Sequence, residues 1–211
     1  MKLYSLPISP FAARCRMMIY AKDLPVEIVD PPGGVKSNDY SAINPLGKVP
    51  SLDTGEGVIP ESETILEFLE DHFPDKPLRP EKPLHRSRAR LLARIIDLYI
   101  MEPMVPLFTQ LRAQKPDQEL IKRQVAKIEH GLWWLDYYFG DKGYAVGNRL
   151  STADCAAVPV LLFVQVFMPG FGLEKPLKMR DKLTAYWESI QSDPHAARVI
   201  AEIREGLDRI Q

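Results

Sequence analysis

The 211-residue sequence predicts two structural parts, a mixed α/β domain followed by an all-helical one. Three observations carry that prediction. Twelve of the 19 prolines fall within residues 1–84, where turn residues punctuate short strand-like and helix-like runs. Residues 85–211 hold only seven prolines and show long runs of helical period. Charge divides at the same place: residues 1–84 carry 9 basic and 13 acidic side chains, whereas residues 85–211 carry 18 and 15. The segment Asp75-Lys-Pro-Leu-Arg-Pro-Glu-Lys-Pro-Leu84 has three prolines and no apolar period, so it reads as an extended connection. The expected organisation is a domain over 1–76, a linker over 77–84 and a helical domain over 85–211.

In the first part, Lys2 to Leu6 reads as a strand. Ser9-Pro10 opens a helical pattern that runs to Lys22, with Phe11, Cys15, Met18 and Ile19 on one face. Val26 to Val29 is a second strand, closed by Pro31-Pro32-Gly33-Gly34, and so tight a β-α-β unit predicts parallel strands with a right-handed crossover. Ser37 to Ile43 is short and poorly periodic. Val49 to Leu52 and Val58 to Ile59 flank Asp53-Thr-Gly-Glu-Gly57, a glycine-containing hairpin loop. Ser62 is then expected to cap a helix whose apolar face is Ile65, Leu66, Leu69 and Phe73. The order β-α-β-α-β-β-α is the thioredoxin-like arrangement. In the second part, amphipathic runs cover Arg86 to about Leu111, bent or broken near Pro103 and Pro106, and Gln118 to Phe139. Ser151 opens a buried-type helix to about Met168. Leu183 to Ser192 and Pro194 to about Ile210 finish the chain.

Composition narrows the classes of function. Hydrophobic residues make up 45% and charged residues 26%, as in an ordinary globular protein, and a chain of this size removes roughly 70% of its surface from water on folding. Net charge is −1, so no bulk basic field exists to hold nucleic acid, and no acidic tail suggests a solvating segment. Cys15 and Cys155 lie 140 residues apart with no CxxC pair, which is neither a disulfide framework nor a zinc site. The four histidines, His72, His85, His130 and His195, show no metal or triad spacing. Ser5, Pro7, Ser9 and Pro10 interrupt any secretory apolar core at the N-terminus, and Ala156 to Met168 is expected to be too short to span a bilayer. A reducing cytoplasmic setting, with no membrane partner, is the expectation.

Four constellations bear on chemistry. Ser9-Pro10 fits an N-cap and N1 proline, which capping alone explains. The same position offers a hydroxyl and free N–H groups where a helix dipole favours an anion, and there a thiol of ordinary pKa becomes more of a thiolate. Asn44-Pro-Leu-Gly-Lys-Val-Pro50 brings a proline to the start of a strand, where it loses a ladder donor. A cis Val49–Pro50 bond, about 5% of X–Pro bonds, would turn the Val49 N–H and C=O outward toward an extended peptide. Glu61-Ser62 either caps a helix or holds a ligand's carboxylate and ammonium groups. Leu150-Ser-Thr-Ala-Asp154 fits a capping box and is expected to nucleate a buried helix without touching substrate.

Together, Ser9-Pro10, Asn44-Pro45 with Val49-Pro50, Glu61-Ser62 with Ile65 and Leu69, and Ser151-Thr-Ala-Asp154 resemble the cytosolic glutathione transferase family over essentially the whole chain. That resemblance implies a thioredoxin-like N-terminal domain that binds glutathione and a helical-bundle C-terminal domain. It implies that Val49, before a cis Pro50, pairs with the cysteinyl part of glutathione, and that Glu61 and Ser62 hold the γ-glutamyl end. Lys48, and less directly Lys36, would sit near the glycyl carboxylate, with a solvated surface role open for both. Ser9 would donate to the glutathione sulfur as the catalytic residue, with Tyr4 in reserve. Aligning Arg14 and Arg16 with the Arg-x-Arg of zeta-like members puts Ser9 at their catalytic serine, although the Ser-Ser-Cys of that class is Ser9-Pro-Phe11 here. Aligning on Ser-Pro, as in bacterial beta-like members, puts Ala13 where they carry cysteine, and Cys15 reads as a buried inert thiol. Tyr99, Met104, Phe108 and Leu111 would line the pocket of a largely apolar electrophile.

The implied function is a cytoplasmic, homodimeric glutathione transferase of the detoxification type, with glutathione as co-substrate and no metal. Two other readings stand beside it. One is a zeta-like isomerase that uses glutathione as a cofactor on an unsaturated dicarboxylic acid and needs Arg14, Arg16 or Arg112 in its cleft. The other is a non-catalytic binding module of the same fold.

Overall fold

A computed structural model describes residues 1–209 and divides the chain into two compact units. Met1–Arg79 and the segment beginning at Ser192 form the first, and Pro80–Gln191 forms the second. The division between Arg79 and Pro80 falls inside the expected linker. Assigning 85–211 entirely to the helical domain does not match, because the last helix belongs to the first unit.

The first unit contains β1 (Lys2–Tyr4), α1 (Pro10–Lys22), β2 (Glu27–Val29), α2 (Asn38–Ile43), β3 (Ser51–Asp53), β4 (Val58–Pro60) and α3 (Ser62–His72). Its sheet runs β2-β1-β3-β4, with β1 and β2 parallel and the other pairs antiparallel, the thioredoxin-like order. Leu3 lies opposite both Ile28 and Leu52, and Leu3 and Leu52 are fully buried, so the register that pairs the strands also builds the core. Ser9 caps α1 by accepting from the Ala12 N–H at 3.2 Å, and Pro10 occupies the first turn.

The short segment after Ser37 supplies the second α of the expected order: it is a helix because Ser37 caps it through the Tyr40 N–H and Tyr40 anchors it in the core. One local feature differs from expectation: Ser62 is the first residue of α3 and not its cap. Glu61 holds the cap position with φ +69° and makes no side-chain cap bond.

The final helix, α9, spans Pro194–Asp208; Ile210, the expected end, lies outside the described residues. It buries Ala196, Val199, Ile200, Ile203 and Gly206, and it packs on α1, which is why it joins the first unit. Asp193 caps it by accepting from the His195 and Ala196 N–H groups.

The second unit holds α4 (Pro83–Ile95), a π-helical segment (Ile96–Met101), α5 (Glu102–Gln110), α6 (Gln118–Tyr138), α7 (Thr152–Phe167), a 3₁₀ turn (Met168–Phe171) and α8 (Asp181–Ile190). The irregularity lies just upstream of Pro103. A proline lacks the N–H and crowds the carbonyl four residues back, here Tyr99, so the preceding turn widens. A Cβ on Gly131 of α6 would sit 2.4 Å from that Tyr99 oxygen, so only glycine lets α6 approach the widened turn.

The capping box forms at the start of α7. Asp154 accepts from the Ser151 N–H (2.8 Å), the Ser151 hydroxyl (2.7 Å) and the Ala145 N–H (2.8 Å). Thr152–Phe171 corrects the expectation of a stretch too short for a bilayer. It has 20 residues of mean hydropathy 1.7, enough by length and composition. Two-thirds of its apolar window is buried in the fold, as befits a core helix, and α7 packs on α4.

Candidate functional site

A cleft of 110 Å³ in the first unit gathers Lys48, Val49, Pro50, Glu61 and Ser62, five of the residues expected at a glutathione site. Phe11, Asn44, Leu46 and Pro60 complete its lining. The Val49–Pro50 bond is cis. Among the described residues neither the Val49 N–H nor its C=O has a partner within the chain, so a backbone pair remains for an extended ligand.

The loop that carries Val49 is held from beneath. Asn44, 2% exposed, donates from Nδ2 to the Lys48 carbonyl (2.8 Å) and accepts from the Leu46 N–H (3.1 Å). The Tyr40 hydroxyl also donates to the Lys48 carbonyl (2.8 Å) and lies 2.8 Å from the Ser51 hydroxyl. Tyr4 packs edge-on against Tyr40 with ring centroids 5.6 Å apart. Its place is thus behind the loop.

At the other wall, the first intrahelical bond of α3 runs from the Ile65 N–H to the Glu61 carbonyl (3.0 Å), which leaves the N–H groups of the first turn without intrahelical acceptors beside the cleft. That end favours an anion, while the exposed Glu61 carboxylate can accept from an ammonium group. A positive φ at a residue other than glycine costs of order 1–3 kcal/mol, and such strain concentrates at binding sites. Arg14, fully buried on α1, pairs with Glu63 of the same turn (3.1 Å) and lies 5.0 Å from the centre of the Phe11 ring. It braces two walls of the cleft at once.

Ser9 is half-buried at the N-terminus of α1, two residues before Phe11, and is not in the cleft lining itself. Its hydroxyl oxygen accepts the cap bond, so the hydroxyl proton is left for another acceptor. Lys36 lies outside the lining, exposed in the turn before α2. Cys15 is fully buried with its sulfur 3.8 Å from the Ser62 carbonyl; burial first, then the Glu63 charge, pushes its thiol far above the ordinary value.

The four expected pocket residues of the helical unit separate. Tyr99 and Leu111 are exposed, and Tyr99 meets Trp134 edge-on. Phe108 is half-buried against Phe163 and Phe167. Met104 is fully buried, which corrects its assignment as a pocket residue: its side chain fills the core. Asn44, Phe11, Leu46 and Pro60 were not among the expected site residues. Asn44 had a signal, since a polar residue beside Pro45 in a constrained loop must satisfy its amide somewhere. The apolar three had none.

Known proteins are similar to this chain over most of its length. Residues 3–77 match the description "Glutathione S-transferase, N-terminal domain", and residues 95–194 match "Glutathione S-transferase, C-terminal domain". The chain is 31% identical to the maleylacetoacetate isomerase of Pseudomonas aeruginosa over 176 residues, 79% of this chain and 82% of that protein. It is 28% identical to a stringent starvation protein A homolog of Coxiella burnetii, covering 88% and 84% of the two. A glutathione S-transferase of Methylobacterium radiotolerans, solved in complex with glutathione sulfonate, superposes with a TM-score of 0.81 at 28% identity, over 94% and 93% of the two chains.

Proposed function

The chain belongs to the glutathione S-transferase family, and on that premise we propose that it binds glutathione in the cleft between the Val49 loop and the start of α3 and adds the sulfur to an electrophilic carbon. The observation that carries the reading is the opposition, across one cleft, of an unsatisfied Val49 backbone pair and the open N-terminus of α3. A γ-linked tripeptide needs both: a strand-like partner for its middle, and donors plus an acceptor for its zwitterionic end. Glu61 accepts from the γ-glutamyl ammonium group, Ser62 and the first N–H groups of α3 take its carboxylate, and Lys48 lies near the glycyl end.

Ser9 then completes the chemistry. Its free hydroxyl proton is donated to the sulfur, and with the dipole of α1 this favours the thiolate. The thiol proton leaves to solvent, the sulfur forms a bond to an electrophile of largely apolar body, and the electrophile's leaving group or added proton balances the step. A homodimer, a cytoplasmic setting and a detoxification role belong to the same proposal.

An isomerase of zeta type is the second reading, favoured by the 31% identity to maleylacetoacetate isomerase. Weighing against it, Arg14 and Arg16 are buried and engaged by Glu63 and Glu202, and Arg112 is exposed on a loop. One experiment separates these outcomes: glutathione titrated by calorimetry, followed by turnover with an aryl halide and with a cis-unsaturated dicarboxylic acid while free thiol is counted. Thiol consumption with the halide is the expected result. Dicarboxylate turnover without consumption would establish the isomerase, and no heat of binding at millimolar glutathione would leave a non-catalytic module.

A further inference from the structure

The loop from Ser5 to Ser9, which delivers Ser9 to the start of α1, is held by a side chain seven residues further along. Arg16 is 3% exposed, and its guanidinium donates from Nη1 to the Ser5 hydroxyl (2.7 Å) and the Leu6 carbonyl (3.0 Å), and from Nη2 to the Pro7 carbonyl (2.9 Å). The Leu6 carbonyl also accepts from the Ser9 N–H (3.0 Å), so the Arg16 fork and the backbone of Ser9 meet at one oxygen. The remaining edge of the guanidinium donates from Nε to Glu202 of α9 (2.8 Å), 186 residues away in sequence. Glu202 is itself fixed, because it accepts from the Tyr20 hydroxyl (2.8 Å) and from Arg198 Nε (3.3 Å).

A second contact reaches the same loop from the same helix. A Cβ on Gly206, one turn beyond Glu202, would lie 2.7 Å from Ile8 Cγ2, 3.1 Å from Pro7 Cβ and 3.3 Å from the Ile8 nitrogen. On another side the loop borders a 240 Å³ cavity lined by Ser5, Pro7, Arg16 and Tyr20 together with β2, so packing gives it little support there. We propose that Arg16 and Glu202 are positioning residues for Ser9, and that α9, through this clamp and the bare Gly206, sets the aim of the Ser9 hydroxyl. The inference rests on the reading of Ser9 given above.

The chemistry of the clamp explains its residue types. Four acceptors spread around one plane suit the fixed fork of arginine, and a lysine ammonium cannot reach them together. Glu202 keeps the guanidinium from turning, since only that orientation presents both terminal nitrogens to the loop carbonyls. Positioning at this level is worth having, because a displacement of about 1 Å at a reacting group can cost on the order of 10²-fold in rate.

The test uses the full chain with Glu202→Gln, Gly206→Ala, Arg16→Lys and Ser9→Ala, each checked for intact fold by circular dichroism. Expected for Glu202→Gln is amide exchange across residues 6–9 faster by about tenfold, a kcat lower by about tenfold, and an acid limb of the pH–rate profile raised by about one unit. Glutathione affinity should stay within about threefold, since the clamp touches none of the cleft lining. Arg16→Lys should fail to rescue, and Gly206→Ala should reproduce the loss of kcat. If Arg16→Lys is recovered unfolded, Glu202→Gln and Gly206→Ala decide the matter. Wild-type kcat, pH profile and exchange in folded Glu202→Gln and Gly206→Ala, beside a Ser9→Ala chain that has lost turnover, would overturn the clamp alone. Full turnover in Ser9→Ala would remove the catalytic reading and the clamp with it.

Discussion

The hydroxyl of Ser9 serves two masters that chemistry can separate. Its oxygen accepts the cap bond from the Ala12 N–H at 3.2 Å, and its proton is the one proposed to reach the glutathione sulfur. Replacing Ser9 by Ala removes both. Loss of an N-cap costs about 1 kcal/mol, which for a chain of this length lowers Tm by roughly 2–4 °C. Loss of a donor to the reacting thiolate is larger in rate, on the order of 10²-fold in kcat/KM, with an acid limb displaced upward. Ser9→Asp divides the two effects. A carboxylate caps as well as a hydroxyl and suits the helix dipole, so stability should return to within about 0.5 kcal/mol of the parent. Beside a sulfur it offers a negative charge and no proton, so turnover should stay as low as in Ser9→Ala or fall further. Urea denaturation gives the first order, and glutathione conjugation across pH, with the ultraviolet absorbance of the bound thiolate, gives the second. If Ser9→Asp recovered activity along with stability, the hydroxyl would be a cap and nothing more.

Four other outcomes follow from the geometry. Asp154→Ala orphans the Ser151 and Ala145 N–H groups in the core and should cost about 3–5 kcal/mol by chemical denaturation. Burial also pushes the Asp154 carboxyl up to about 6, against hydrogen bonds from Ala145, Ser151 and Tyr186 that pull it down. The folded chain therefore holds that proton more tightly than the unfolded one, and the residue's contribution to stability falls by about 3 kcal/mol as pH rises from about 4 to 6. A wild-type minus Asp154→Asn difference that stayed flat across that window would contradict the assignment. Cys15 and Cys155, both buried, should give no reaction with an aromatic disulfide reagent in the native protein and two equivalents after unfolding; a fast native thiol would count against the packing. Glu61→Gly relieves the φ +69° backbone and should raise stability by about 1 kcal/mol while weakening glutathione binding, a trade that calorimetry and denaturation read together.

Elements with a local cause were legible in the sequence. Ser9-Pro10 marks the start of α1 because capping chemistry acts within four residues, and Ser151 with Asp154 marks α7 for the same reason. Ser62 misled, since a serine before an apolar run looks like a cap whether it stands at the cap or one place inside. The helix Asn38–Ile43 has six residues and no room for a period, and it exists because Tyr40 is anchored in the core. Non-local causes stayed hidden. The widened turn at Ile96–Met101 needs both Pro103 downstream and the bare Gly131 of another helix. The membership of α9 in the first unit depends on its apolar face packing against α1, far away in sequence. Of the site, the motif residues that line the cleft were readable, while Tyr40, which with Asn44 aims the Val49 loop, acts through a bond that no motif records.

The electrostatics of the cleft run against the charge of the domain that contains it. Residues 1–84 carry a net charge of −4, yet the ligand proposed for them is an anion. The conflict resolves in the pairing of α3, whose acidic side chains are largely neutralised by neighbours: Glu63 by Arg14, Glu70 by Lys22, and Glu67 and Asp71 by Arg79. Exposed acids elsewhere act across a screening length of about 8 Å at physiological salt and reach the cleft weakly. What remains at short range is the first turn of α3, Lys48, and one acid, Glu61, which the ammonium of the ligand can answer. Local N–H groups of fixed direction therefore outweigh the net charge, because they act at hydrogen-bond distance while the opposing charges are already paired. Binding of an anion by this acidic domain would depend in this way on ion pairs that lie outside the cleft lining.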